Sequence, residues 1–112
     1  MTCLLLYLSE AGQAQVPNTF AVGFGNASNY NVIVKGYSFV NQTKKPGQLL
    51  LMPKNGKAYE DGVPFGIRYY TVFDAVTNRV LLFDQQVPIQ GNTFLFIRPS
   101  PLDPTKVIIT AK

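Results

Sequence analysis

The stretch Phe65-Gly66-Ile67-Arg68-Tyr69-Tyr70-Thr71-Val72-Phe73-Asp74 decides the fold class. Phe65, Ile67, Tyr69, Thr71 and Phe73 recur at every second position, the period of a pleated strand, and β-branched and aromatic residues fill the segment. Val76-Thr77-Asn78 then supplies turn residues, and the chain resumes as Val80-Leu81-Leu82-Phe83 and runs on to Ile89. The two segments predict a β-hairpin. The chain has no Trp, so most of the aromatic face from Phe65 to Phe73, with Phe94 and Phe96, is expected to fill the core, with a minority left for an interface.

Working outward, the period stays at two. Phe20, Val22 and Phe24 alternate with Ala21 and Gly23, and Asn26-Ala27-Ser28-Asn29 marks a turn. Residues 30–40 form a second strand segment around Val32-Ile33-Val34, and 41–47 read as a loop by composition. Gln48-Leu49-Leu50-Leu51-Met52 is a short apolar run stopped by Pro53. Asn55-Gly56 is a strong two-residue turn signal, and Asp61-Gly62-Val63-Pro64 reads as another turn. Gln90-Gly91-Asn92 leads into Thr93-Phe94-Leu95-Phe96-Ile97; Pro99, Pro101 and Pro104 mark a loop, and Val107-Ile108-Ile109-Thr110 is the last strand segment. No segment carries an apolar stripe at helical spacing. The expectation is an all-β domain: one antiparallel, immunoglobulin-like β-sandwich of seven to eight strands over 17–112.

A length of 112 residues fits one domain, and 14% charged residues with Gly 9 and Pro 8 suits short strands joined by turns. Residues 1–16 are set apart as a signal or N-terminal extension. Cys3-Leu4-Leu5-Leu6-Tyr7-Leu8 is a short apolar run, and Gly12 and Ala14 would suit cleavage before Gln15, but the run lacks a basic residue and Glu10 sits within the segment. Cys3 is the single cysteine, which excludes a disulfide within the chain and leaves the compartment open. No run approaches the roughly 20 apolar residues of a membrane-spanning helix, so no transmembrane segment is expected in this sequence.

The sequence contains no His, the side chain that most often moves protons near neutral pH. A Ser-His-Asp or Cys-His arrangement is therefore excluded within the chain. Cys3 and scattered acids make a poor metal-ligand supply. Glu60 and Asp61 are adjacent and point to opposite faces of a strand, whereas Asp74 and Asp84 flank the hairpin and could face each other; Asp61 and Asp74 also occupy ordinary turn positions. No catalytic residue, cofactor or metal is expected, and the chain is read as a non-enzyme.

The net charge of +4 places Lys44, Lys45, Lys54 and Lys57 in one loop-rich stretch, a candidate basic contact loop. Glu60 and Asp61 follow at once, and Arg is not interleaved with aromatics there, so no nucleic acid is expected. Asn26-Ala27-Ser28 and Asn41-Gln42-Thr43 are N-glycosylation sequons, both placed in exposed loops by this reading.

Phe20-Ala21-Val22-Gly23-Phe24-Gly25-Asn26 followed by Ile33-Val34, Pro64-Phe65-Gly66-Ile67 before a long strand, and Phe83-Asp84-Gln85-Gln86-Val87 together carry a resemblance. They resemble the lumenal domain of translocon-associated protein alpha, the signal-sequence receptor alpha subunit, over about 19–89 with a shortened middle. That family continues into a membrane helix, where this chain has Thr93-Phe94-Leu95-Phe96-Ile97 and Val107-Ile108-Ile109-Thr110. The resemblance implies an endoplasmic-reticulum lumenal accessory domain that braces the protein-conducting channel by loops and edges, with the Sec-type translocon and sister subunits as partners. On this reading Asn41 matches a family sequon.

Two further readings stand beside an accessory or binding subunit of the secretory pathway, lumenal or extracellular. One is a self-assembling structural or coat-like sandwich, viral or surface, since few charges and many aromatics suit subunit contacts and oligomers. The other is a carbohydrate or lipid binder in which Tyr30, Tyr37, Tyr59, Tyr69 or Tyr70 stacks on ligand.

Overall fold

The hairpin is formed, and its faces are reversed. In the computed structural model, which describes residues 19–112, Gly66–Asp74 and Val80–Ile89 pair antiparallel from Gly66↔Ile89 to Phe73↔Val80. Asp74 shapes the turn between them: its Oδ1 accepts the Val76 N–H at 2.9 Å, and its carbonyl accepts the Asn78 N–H at 2.8 Å. Arg68, Tyr70 and Val72 point into the core, while Phe65 and Ile67 are exposed and Tyr69, Thr71 and Phe73 only half-buried. The aromatic-rich face expected inside is the outer one. Two-residue periodicity fixes that the faces differ and is silent on which is covered; here Tyr70 and Val72 already fill the inner layer.

Eight strands follow one another in the described residues: β1 Thr19–Asn26, β2 Val32–Val40, β3 Thr43–Met52, β4 Lys57–Pro64, β5 Gly66–Asp74, β6 Val80–Ile89, β7 Thr93–Pro99 and β8 Val107–Thr110. They form two four-stranded sheets, ordered β4-β1-β7-β8 and β3-β2-β5-β6, and no described residue is helical. The architecture is an all-β sandwich. The pairing is not wholly antiparallel: β1 runs parallel to β7, from Val22↔Thr93 to Asn26↔Ile97.

Between the sheets lie Val22 and Phe24 of β1, Val32 and Val34 of β2, Tyr70 and Val72 of β5, Leu95 and Ile97 of β7, and further aliphatics of the remaining strands. Each Val, Leu or Ile fully buried in this way contributes roughly 1.5–3 kcal/mol. Phe94 and Phe96, also expected inside, lie on the outer face across β1. There Gly23 and Gly25 leave a floor, and a Cβ on Gly23 would come within 2.5 Å of the Phe94 ring.

Three local readings also change. Residues 41–47 are not a loop: Asn41 and Gln42, at φ 50° and 66°, make a two-residue hairpin turn, and β3 starts at Thr43. Positive φ at both central positions is what such a turn needs to match strand twist. Asp61-Gly62 is not a chain reversal but a bulge within β4, where the register steps from Val22↔Glu60 to Phe20↔Val63 and Gly62 takes φ 70°. Asn55, at φ 62°, does turn the chain as expected, but it carries it from one sheet to the other. The signal or extension read at 1–16 and the thiol of Cys3 lie outside the described residues.

Candidate functional site: an apolar outer sheet face

In a solvated sandwich the outer face of a sheet is ordinarily polar. The outer face of β3-β2-β5-β6 is not. Cross-strand partners set its rows: Leu51, Ile33, Phe73 and Val80 lie side by side across all four strands, then Leu49, Lys35 and Thr71, then Pro46, Tyr37, Tyr69 and Gln86, with Lys44 beside Phe39. Leu51 is 69% exposed and Phe83 76%, and Leu49, Phe39 and Ile67 are exposed as well. The Leu49-Leu50-Leu51-Met52 run produces part of this, because only Leu50 and Met52 can face inward.

The rings pack laterally. Tyr37 and Tyr69 stack with centroids 5.0 Å apart and planes 11° off parallel, and Phe39 stands edge-on to both. Lys44 Nζ sits 4.2 Å above the Tyr37 ring, and Lys35 Nζ lies 5.6 Å from the Phe73 centroid. An open groove of about 410 Å³ runs between them, walled by Lys35, Lys44, Thr71, Phe73, Phe83 and Asp84. The β6 bulge places Asp84 at φ 58°, a conformation Asp tolerates, with its N–H donating to Thr71 Oγ1 at 3.1 Å. The Tyr37 hydroxyl donates to Asp84 Oδ1 at 2.7 Å. That bond, then burial and the carboxylate charge, push the Tyr37 hydroxyl above its ordinary range.

Beneath this face a buried polar cluster ties the sheets together. Glu60 of β4 meets Arg68 of β5 in a bidentate pair: Nε donates to Oε1 at 3.1 Å and Nη2 to Oε2. Arg68 Nη1 also donates to Ser38 Oγ at 2.9 Å, and the Tyr70 hydroxyl donates to Glu60 Oε1 at 3.0 Å. Burial, then the Glu60 charge, push the Tyr70 hydroxyl far above its ordinary range. Gly47, at the irregular part of β3, lies against the pair, and a Cβ there would collide with Glu60 Oε2 and Arg68 Nη2.

The residues singled out from sequence are dispersed. Lys44 is on the outer face, and Lys45 turns the other way, beside Gly47, Asp61 and Arg68. Lys54 lies in the turn after β3, and Lys57 opens β4. At about 3.3 Å per residue, β3 holds Lys44 about 30 Å from Lys54, so the four do not form one contact loop. Asn41 is exposed in its turn. Asn26 is not in an exposed loop: it ends β1 at 2% exposure, and its Nδ2 donates to the carbonyls of Tyr30, Met52 and Pro53. A glycan on that nitrogen is incompatible with this packing.

The acids are equally separated. Glu60 is held by Arg68; Asp74 caps its turn, with the Val76 N–H the main influence holding its carboxyl below the usual range; Asp84 faces outward. Asp74 and Asp84 do not face each other. Among the described residues no three His, Cys, Asp or Glu side chains gather where they could hold a metal ion. Of the tyrosines, Tyr37 and Tyr69 lie on the outer face, Tyr59 is exposed on the opposite sheet, Tyr30 is half-buried near Arg79, and Tyr70 is core. Sequence reading missed Lys35, Leu49, Leu51 and Phe83 as members of one face. The three consecutive leucines before Met52 were the available signal, since an alternating strand cannot hide them all.

No family model matches the chain, and no curated protein matches it. Among solved structures, it is similar to the NMR structure of a protein from Eubacterium rectale. The two are 12% identical with a TM-score of 0.54, and the match covers 88% of this chain and 92% of that one. At that identity the likeness concerns the fold alone.

Proposed function

We propose that this chain is a non-catalytic binding module, an accessory subunit whose working surface is the outer face of β3-β2-β5-β6. The observation that carries the reading is the exposure of Leu51, Leu49, Phe83, Phe39 and Ile67 together on one sheet face. A sheet face with this many exposed apolar side chains marks a contact site. An immunoglobulin-like sandwich belongs to the same proposal, supported by a first strand that pairs parallel with a late one in an otherwise antiparallel framework. So does the lumenal role beside a protein-conducting channel that the resemblance implies, with a membrane-embedded assembly as the setting.

The test is site-specific photo-cross-linking in secretory membranes, with the photoreactive side chain at position 49 or 83 and, as the control, at position 59 on the opposite sheet. Adducts confined to positions 49 and 83 are the expected result. Equal yields at all three positions, or none at any, would overturn the reading.

A further inference from the structure

The geometry points to an anionic membrane surface as the partner of the β3-β2-β5-β6 outer face, an inference that rests on the binding role proposed above. The face combines two chemistries. Its exposed apolar side chains are spread over the sheet rather than gathered in one pocket: Leu49 and Leu51 on β3, Phe39 on β2, Ile67 on β5 and Phe83 on β6. A protein interface concentrates its strength in a few residues that fill pockets, whereas a lipid interface takes a dispersed apolar face to the depth of the headgroup boundary. The stacked Tyr37 and Tyr69 add rings with apolar bodies and polar tips, the type that settles at that boundary.

The charge is complementary to acidic headgroups. Lys35 and Lys44 flank the groove, their ammonium groups 5.6 Å and 4.2 Å from the Phe73 and Tyr37 ring centroids. Asp84 is the acid at the groove, and it accepts the Tyr37 hydroxyl. Of the other described acids, Glu60 is sealed between the sheets, Asp74 is buried in its turn, Asp61 lies beside Lys45 and Gly47 away from the groove, and Asp103 lies in the loop before β8. The same charges argue against a second copy as the occupant. A two-fold pairing of this face with itself would bring the lysines of both copies into one interface, with only the engaged Asp84 of each to offset them.

The test is co-sedimentation of the full chain with vesicles of phosphatidylcholine alone or with about 30 mol % phosphatidylserine, since anionic lipid attracts nearby lysines. Binding is expected to the anionic vesicles, weakened by added salt. Lys35→Gln with Lys44→Gln should lower the partition coefficient about 25-fold, or about fivefold per lysine. Leu49→Ser with Phe83→Ser should lower it as well. The control pair Lys57→Gln and Arg98→Gln, both on the opposite sheet, removes the same net charge away from the face and should leave most of the binding in place. Circular dichroism verifies that every variant is folded.

Failure of the wild-type chain to sediment with anionic vesicles overturns the proposal, as do equal losses in the on-face and off-face pairs. If vesicle binding fails while protein adducts still form from positions 49 and 83, the face is a protein interface: the lipid inference falls and the binding role stands. Loss of both results removes the binding role itself.

Discussion

Glu60 and Arg68 show at the residue scale why the core of this sandwich accepts charge. Each is almost fully excluded from water, and the pair survives because Ser38 and Tyr70 occupy further hydrogen-bonding positions. Removing one member leaves the other uncompensated, which destabilises by roughly 3–5 kcal/mol, while replacing both with apolar residues of similar volume is far milder. Urea unfolding of Arg68→Met, Glu60→Leu and the double variant is expected to show large losses for the single changes and a smaller loss for the pair. Additive losses would mean that the two groups are not coupled. Asn26 and Asn41 separate at the same scale. Expressed with a secretion signal in a glycosylating host, the chain is expected to carry glycan at Asn41 and none at Asn26; intact mass of Asn41→Gln then equals that of the unmodified polypeptide. Asn26→Ala should in turn lose roughly 1–3 kcal/mol for each buried carbonyl left unsatisfied.

The strands themselves were legible because hydrophobic alternation is local. The turns at Asn55 and after Asp74 were legible because Asn-Gly and a turn-capping Asp act within a few residues. What was not legible required knowledge of the partner strand. Asn41-Gln42 carries no glycine, so a segment rich in Lys, Pro and Gly read as loop; the tight reversal shows only in the Val40↔Thr43 pairing. Gly62 read as a turn because a bulge and a turn share residue chemistry, and only the register against β1 tells them apart. The outer face was misassigned for a related reason: β5 alternates two sets of large side chains, and the choice between them is made by Glu60, which arrives from another strand to receive Arg68 and Tyr70. The hairpin turn gives a prediction at this scale. Gln42 holds φ 66°, which costs a non-glycine residue roughly 1–2 kcal/mol, whereas glycine adds about 0.5–1 kcal/mol of unfolded-state entropy. Gln42→Gly is therefore expected to stabilise by up to about 1 kcal/mol, read as a rise in urea midpoint at constant slope. A fall would show that the side chain makes a compensating contact.

Across the whole molecule, the titrating groups whose environments are most altered lie at both ends of the pH scale. Asp74 is held low mainly by the Val76 N–H, and Asp103 mainly by the Thr105 hydroxyl. A carboxyl with a lowered folded-state pKa contributes stability that is complete above its unfolded value, about 3.9, and is lost as pH falls through the folded one. Tyr37 and Tyr70 are raised, by the Asp84 hydrogen bond and by burial respectively. Their contribution is complete below the unfolded value, about 10, and is lost as pH rises toward the folded values. With no His in the chain, the described residues include no side-chain type whose ordinary pKa lies between about 5 and about 9. The urea midpoint is therefore expected to be nearly flat from about pH 5 to about pH 9 and to fall on either side. Asp74→Asn should move the acid limb, and Tyr70→Phe should make the alkaline limb shallower, since Phe keeps the ring and removes the ionising hydroxyl. A midpoint that changes steeply between pH 6 and pH 8 would contradict this account, because no group described here supplies a proton there. The flat plateau also bears on the membrane-facing role: with the fold equally stable throughout it, vesicle binding is expected to hold constant across the plateau and to respond to salt rather than to pH.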